Sequence, residues 1–451
     1  MIESEPRRHS PDHFITAENK DGVEAISLPN VITRIAPGAE RILGPCKVGE
    51  SYAPLKFVIP LEGAYSVRGD DENQKLRSAD KALLRMRAGR HTHVDLTLTR
   101  PPEFATEYAP GTLKYGIDAV RNITSKGAGL SALFDDEPEG KVEPEFWRFN
   151  PRLADDAEAS VRGLCSENEA LDDWWLSDKL NKRGGRFGIP LLLTRIAQLP
   201  ARRNQVEQEY KGNYQVKLYP VAELQRSSYE SSVSDAPILP DFSPDERHLD
   251  TMDDDKRETG TFGVPVYYER GLVSGIRVGD LGHSPDILQA RLREIIRVIG
   301  REDASVVDER SYLIWFAKQL AKNIALLHSE GLVQTQLNHQ FMNITLAAEI
   351  VDNSAARKLH DNPFREFTHD IDQAHGWQKS HGRRRGAIGA LIELMVECRK
   401  ITKESLPDVQ ELEEIFLDEY TRHLEEYYAQ LDPIPKEIPS WLTFARNLKD
   451  W

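Results

Sequence analysis

Two short stretches combine residue types and spacings suited to phosphate chemistry. The run Ile123-Thr124-Ser125-Lys126-Gly127-Ala128-Gly129 closes on a lysine and turns on glycines. A lysine at that place can face phosphate oxygens, and the glycines let backbone approach a ligand closely. A plain turn accounts for the same residues. Arg270 and Arg277 lie in the segments Val264-Pro265-Val266-Tyr267-Tyr268-Glu269-Arg270 and Ser274-Gly275-Ile276-Arg277-Val278-Gly279, which read as a β-hairpin over residues 264–278. From paired strands the two guanidinium forks could face one cleft and grip phosphate oxygens; exposed surface arginines are the ordinary alternative. His91 and His93 alternate along a strand-like run. Two histidines at that spacing suit a metal, but no third ligand lies nearby and a solvated strand face explains them. Asp253-Asp254-Asp255 reads as part of a solvated loop rather than a metal site.

The elements that would position such residues centre on residues 312–354. Leu313, Phe316, Leu320, Ile324 and Leu327 recur at three- and four-residue steps, which predicts an amphipathic helix. Gly331 is placed to take the left-handed cap. Leu332-Val333, a loop over 334–340, the run 341–346 and then Glu349-Ile350-Val351-Asp352 follow. Helix, loop, two clipped strands and an acid is the layout of a kinase-type catalytic loop. In that layout one Asp serves the nucleophile, an Asn holds Mg²⁺, and a later Asp bridges Mg²⁺ to the phosphates. Asp352 stands at the last position, whereas the loop offers Gln334, Gln336 and Gln340 in place of the first acid.

The remaining chain supplies a frame. Its 451 residues are 39% hydrophobic and 29% charged, enough to bury a sizeable core. The net charge of −15 argues against general nucleic-acid or anionic-membrane binding. No apolar run approaches membrane-spanning length, and Met1 to His13 is polar, without a secretory pattern. Three scattered cysteines, Cys46, Cys165 and Cys398, suit reduced thiols in a cytoplasmic protein. Residues 1–20 read as a mobile tail and 21–110 as an N-terminal α+β region. Residues 111–282 form a mixed segment with a Ser-, Asp- and Pro-rich insertion at 225–262, and 283–451 is largely helical. A helix is expected from Ala157 to Leu180, with Trp174 and Trp175 as core anchors, followed by a strand over 188–195. A second helix is expected from Ser284, with Pro285 in its first turn and Gly300 past its end. Arg383-Arg384-Arg385 reads as a solvated helix start.

In this order the motifs resemble the selenoprotein O family, protein-kinase-like enzymes that transfer AMP from ATP to protein hydroxyls. Lys126-Gly127-Ala128-Gly129 is identical to that family's Lys-Gly-Ala-Gly, whose lysine contacts the nucleotide phosphates. Leu164-Cys165-Ser166-Glu167, followed by Gly188-Ile189-Pro190, resembles its helix and next strand. Arg270-x-x-x-Ser274-x-x-Arg277-x-Gly279 repeats its Arg-x-x-x-Ser-x-x-Arg-x-Gly, in which both arginines bind nucleotide. Leu337-Asn338-His339-Gln340-Phe341-Met342 stands where the family has Met-Asn-Thr-Asp-Asn-Met, and Ile350-Val351-Asp352 stands for its metal-binding Ile-Asp. The likeness covers roughly residues 110–355, interrupted by insertions. It implies an α+β, protein-kinase-like two-lobed fold with an extra N-terminal α+β region and a helical C-terminal lobe. It implies ATP and Mg²⁺ as cofactors and a protein as substrate or partner. Lys126, Arg270 and Arg277 would hold nucleotide, and Asp352 would hold the metal.

The departures carry as much weight as the matches. Gln340 replaces the base Asp, and an amide takes no proton near neutral pH. Phe341 replaces the metal-binding Asn and cannot ligate a cation; Asn343, two residues on, substitutes for it if the loop is shifted. The helix acid that pairs with the lysine in that family has two candidates, Glu167 and Glu169. Asp352-Asn353-Ser354 stands for the family's Asp-Tyr-Gly, and Asp450-Trp451 lacks the redox Cys or selenocysteine of some members. Two functional expectations follow: a slow nucleotidyl or phosphoryl transferase, or an inactive scaffold that acts through a protein partner.

Overall fold

Runs of branched and aromatic residues broken by Gly and Pro give strands in the first part of the chain, and three-four periodicity gives helices in the last. The computed structural model describes residues 23–26, 28–53, 57–60, 91–95, 108–127, 165–201, 217–220, 264–283, 286–334, 337, 343–353, 356–358, 370–371, 386–403 and 405–430. The elements, in chain order, are β1 (Val23–Ile26), β2 (Asn30–Ile35), the single turn α1 (Glu40–Leu43), β3 (Phe57–Pro60), β4 (His91–Asp95), β5 (Asn122–Lys126), β6 (Cys165–Ser166) and α2 (Glu167–Lys182). Then come β7 (Ile189–Ile196), β8 (Gln198–Ala201), β9 (Lys217–Pro220), β10 (Pro265–Leu272), α3 (Val278–His283), α4 (Asp286–Glu302) and α5 (Glu309–Ser329). The chain continues with β11 (Leu332–Val333), β12 (Arg357–Lys358), α6 (Gly386–Ile401) and α7 (Val409–Ala429). The fold is α+β. The 1–20 tail, the 225–262 insertion, the acidic triplet at 253–255 and the arginines at 383–385 lie outside the described residues.

The chain divides into two units. The first comprises Met1–Thr99, Asn122–Asp172 and Pro190–Gly271; the second comprises Arg100–Arg121, Asp173–Ile189 and Leu272–Trp451.

The first unit is built on a six-stranded sheet ordered β2-β7-β10-β5-β4, with β6 also paired to β10. β2 and β4, from the N-terminal region, are therefore strands of the same sheet as β5, β7 and β10. β4 pairs antiparallel with β5, matching His91 to Lys126 and His93 to Thr124. β5 and β10 are buried along their whole length, so both faces of the central strands are covered. Gly127 ends β5 with φ +80°, and a Cβ there would stand 2.1 Å from the Val266 carbonyl oxygen. Its missing side chain thus serves the close approach of its own sheet as well as the turn.

In the second unit the stripe Leu313, Phe316, Leu320, Ile324 and Leu327 is wholly buried on α5, and α7 packs along that helix. Asp308 caps the N-terminus by accepting from the Ser311 amide at 2.7 Å. At the other end Gly331, with φ +71°, donates its N–H to the His328 carbonyl at 2.9 Å. Two expected boundaries differ. Gly300 lies inside α4 rather than beyond it; its lack of a side chain serves a close approach, since a Cβ there would meet the Val306 carbonyl oxygen at 2.7 Å. The helix around Trp174 begins at Glu167, since Cys165 and Ser166 are taken up by pairing with β10. Trp174 is buried as expected, whereas Trp175 is 53% exposed.

Gly127→Ala should destabilise the fold by roughly 3 kcal/mol or more, because the new Cβ meets backbone rather than a movable side chain. Gly49→Ala, with positive φ and no neighbour within 4 Å, should cost only about 1 kcal/mol. Chemical denaturation of both variants measures the contrast; equal losses would remove the packing explanation.

Candidate functional site

Lys126 is fully buried at the end of β5, and its Nζ donates to Glu169 Oε1 on α2 at 2.6 Å. Burying an ammonium without a carboxylate would cost several kcal/mol, so this pairing fixes where the lysine points. Of the two candidate acids it is Glu169 that engages Lys126. Glu167 is gripped by Arg195, whose Nε and Nη2 donate to its two oxygens, each at 2.8 Å. The selection is one of helix phase: two residues apart, the acids point in different directions around α2.

Arg270 is fully buried and 2% of Arg277 is exposed, so neither is a surface arginine. Strand alternation places Arg270. Tyr267 and Glu269 share one face of β10, while Tyr268 and Arg270 share the other, with the Arg270 guanidinium 5.6 Å from the Tyr268 ring centre. Ser125 Oγ meets the Tyr267 hydroxyl at 2.8 Å, which assigns Ser125 to the Glu269 face of the sheet. Lys126, the next residue on β5, therefore projects from the same face as Arg270. Thr124 shares that face, and its buried hydroxyl finds no partner among the described residues.

The opposite face holds a carboxylate. Glu269 is buried and accepts from the Tyr267 hydroxyl at 3.0 Å and the Tyr52 hydroxyl at 3.0 Å. Burial raises its pKa to about 7, with the two hydroxyl bonds pulling the other way.

In the second unit Arg277 does not sit on a hairpin. After β10 the chain turns, and residues 276–278 pair with 344–346: the Val278 amide donates to Ile344 and the Leu346 amide to Ile276, each at 2.9 Å. Ile344 bridges Ile350, and Ile350 bridges Phe187. Segments 276–278, 344–346, 349–351 and 186–188 thus form a small layer. The turn in it is held by Glu349, whose carboxylate accepts from the Val273 amide at 2.7 Å, the Ser274 amide at 3.2 Å, Thr345 Oγ1 at 2.8 Å and the Tyr115 hydroxyl at 3.1 Å. The hairpin fails because those two amides are spent on a side chain rather than on a facing strand. Burial raises the Glu349 pKa, with the Arg186 guanidinium opposing.

That layer brings three of the sequence-singled residues together. Arg277 Nη1 donates to Asn343 Oδ1 at 3.3 Å, and the Asn343 carbonyl accepts from the Val351 amide at 3.0 Å, next to Asp352. Asp352 adopts φ +62°, an uncommon backbone for a residue with a side chain. Its neighbours enforce it. The Asn353 amide donates to Asp173 Oδ1 at 2.9 Å, and Gln334 Nε2 reaches the Val351 and Asp352 carbonyls at 3.2 and 3.1 Å. Over-determined strain of this kind concentrates at functional positions. Gln336, Gln340 and Phe341 lie outside the described residues.

Sequence reasoning passed over the anchors. Asp370 accepts from the Gln334 amide at 2.6 Å and faces His328 Nε2 at 3.3 Å, while His328 Nδ1 meets the Tyr420 hydroxyl at 2.8 Å. All four residues are sealed in the core, and burial lowers the His328 pKa. Asn323 on α5 accepts from the Arg186 amide at 2.9 Å and donates to the Ala348 carbonyl at 2.7 Å. Asn323 and His328 are polar residues inside a helical run that is otherwise apolar on that side, and this is the signal that could have found them.

Among the described residues, one carboxylate here suits a divalent ion. Asp352 offers a carboxylate, and Mg²⁺ commonly takes one or two of these together with substrate phosphates. Asn343 fits poorly. An arginine has only donors, so the bond to Arg277 uses the carboxamide oxygen, the one atom able to ligate a cation. Asp173 and Glu349 are committed to backbone amides. Among the described residues no group of three or more His, Cys, Asp or Glu could hold a metal ion, and no helix is long and apolar enough to cross a membrane. No family model matches this chain, and no curated protein matches it.

Glu349→Ala would leave three buried donors, the Val273 and Ser274 amides and the Thr345 hydroxyl, facing a void, while the Tyr115 hydroxyl keeps the Phe187 carbonyl as acceptor, and should cost roughly 3–5 kcal/mol, measured by denaturation. Glu269 supplies a pH test. Its folded pKa lies above its unfolded value, so the native state binds the extra proton and stability falls as pH rises from about 4.5 to about 7, by about 3 kcal/mol in all. Relative to wild type, Glu269→Gln should remove that slope; an unchanged slope would place the titration elsewhere.

Proposed function

We propose that this chain is a divergent, selenoprotein O-like nucleotide-binding protein with a protein-kinase-like two-lobed fold. The observation that carries the reading is the fully buried Lys126, held by Glu169 at 2.6 Å on the sheet face it shares with Arg270. A lysine fixed by a helix carboxylate is the arrangement that ATP-dependent phosphoryl-transfer enzymes use to orient phosphates. Thr124, on the same face, adds a hydroxyl able to donate. Within the second unit, taken by itself, Arg277 carries a guanidinium suited to phosphate oxygens, and Asp352 is the residue that the resemblance assigns to Mg²⁺.

The activity we assign is slow transfer of AMP, or of phosphate, to a protein hydroxyl. For AMP, the hydroxyl oxygen attacks the α-phosphorus, the bond to pyrophosphate breaks, and the proton passes to solvent because Gln340 accepts none. Missing general-base help costs about 10²–10⁴-fold in rate. The second reading, an inactive scaffold that binds nucleotide and acts through a protein partner, is favoured by Gln340, Phe341 and the engagement of Asn343 by Arg277. Under either reading the location is cytoplasmic, which suits Cys46, Cys165 and Cys398, none of them joined in a disulfide.

Calorimetric titration of ATP into wild type and Lys126→Ala tests the shared part. Wild type should bind, and the variant should lose about tenfold or more in affinity, as expected for one charge-assisted phosphate contact. Transfer from labelled ATP to protein, abolished in Asp352→Asn, separates enzyme from scaffold. Absence of ATP binding at millimolar concentration would end the nucleotide reading.

A further inference from the structure

We infer that the outward face of α4 is a docking surface for an acidic peptide segment of a partner protein, gripped by Arg293, Arg297 and Arg301. Neither Lys126 nor Arg277 takes part, so the surface works whether or not the chain binds nucleotide.

The pattern of α4 creates this face. Leu288, Leu292, Ile295, Ile296 and Ile299 are buried on one side of the helix, whereas Arg293 and Arg297 are exposed. Residues 293, 297 and 301 recur every four residues, so they form a stripe that advances about 6 Å per step and about 12 Å in all. Like charges at this spacing repel, and two acids of the same helix are committed elsewhere. Glu294 pairs with Arg291 at 3.0 Å, and Glu302 forms its buried ion pair with Arg186. Among the described residues none of the three arginine side chains makes an ion pair or a hydrogen bond, and Arg301 Nη1 is buried without an acceptor. A buried donor of that kind is satisfied when an acceptor arrives from outside.

Arg121 strengthens the same field. The Gly111 and Leu113 amides donate to the Gly300 and Arg301 carbonyls at 3.2 and 3.0 Å, which ties its segment to the end of α4. Arg121 is 4% exposed, and its Nη1 donates to the Asp118 and Val120 carbonyls, each at 3.0 Å. Burial and then the charge of Arg301 lower its pKa, and burial and then the charge of Arg297 lower that of Arg301. Positive charge is thus gathered at one place in a chain of net charge −15. A long polyanion such as nucleic acid, or an anionic bilayer, would meet the negative charge of the rest of the chain, whereas a short segment would not. In an extended peptide alternate side chains point the same way and lie about 6.7 Å apart, close to the arginine step. Carboxylates at alternate positions can therefore meet successive guanidinium forks, each suited to a carboxylate.

Fluorescence anisotropy tests the surface, with the full-length chain and a labelled short peptide carrying glutamate at alternate positions; the same peptide with glutamine is the control. Wild type should bind the glutamate peptide at least about tenfold more tightly than the glutamine one. Binding should fade as salt rises from about 0.1 M to about 1 M, because the screening length falls from about 10 to about 3 Å. The double variant Arg293→Glu, Arg297→Glu should lose about tenfold or more in affinity for the glutamate peptide. Arg297→Glu alone turns two repulsive steps into attractive ones, so it should fold with a near wild-type melting temperature and still bind more weakly. Variants that bind as wild type does would overturn the inference. So would equal binding of the two peptides by wild type, a comparison that needs no variant. An oligonucleotide of equal charge, or phosphatidylserine vesicles, bound more tightly than the glutamate peptide would overturn the choice of partner.

Discussion

The carboxylate of Glu349 is the contact on which the second unit's site depends. Four donors converge on it, two from the backbone just after β10, one from the turn that Glu349 itself ends, and one from Tyr115. Residues 273–274 are thereby fastened to residues 345–349. Arg277 lies three residues beyond the first anchor and Asn343 two residues before the second, so their meeting follows from this one side chain. A buried carboxylate is costly, and the donors offset that cost only in a single arrangement.

α5 supports the same turn from beneath. Tyr312 donates to the Leu346 carbonyl at 2.7 Å and Asn323 to that of Ala348, so two polar groups set into an apolar helix fix the height of the turn. Arg186 completes the support. It forms a buried ion pair with Glu302, donates from Nε to the Ala347 carbonyl at 3.0 Å, and lies 4.3 Å from the Tyr115 ring centre. Ala348 and Asp352, the two non-glycine residues with positive φ among the described residues, lie at this turn and just after it. The strain is local because the restraints are local.

The first unit solves a different problem with the same economy. β5 and β10 are buried on both faces yet carry Lys126, Glu269 and Arg270. Alternation sorts them: the carboxylate goes to the face with two tyrosine hydroxyls, and the cations go to the face reached by Glu169. On one face a titrating acid is kept near neutrality, and on the other a lysine is kept paired. The separation spares Lys126 from competing for Glu269 and leaves it on the face that Glu169 reaches.

The α5 stripe and the glycine cap at 331 were legible in the sequence because periodicity and backbone chirality act locally, whereas the strands expected at 341–346 and 349–352 are isolated bridges at Ile344, Thr345 and Ile350. The motif residues Lys126, Arg270, Arg277 and Asp352 could likewise be singled out by type and spacing. Sequence could not choose between Glu167 and Glu169, because both lie on one helix and the choice turns on which strand each meets. It expected a hairpin around Arg277, since alternation alone cannot reveal a carboxylate 75 residues away in the chain that takes the amide of Ser274. It passed over Glu349, Asn323, His328 and Asp370, whose roles exist only where distant segments close on them. What the sequence determined by itself was the set of local elements and the residues able to meet phosphate. The tertiary structure alone decided their partners, because a buried charge takes its meaning from the donors that folding brings to it.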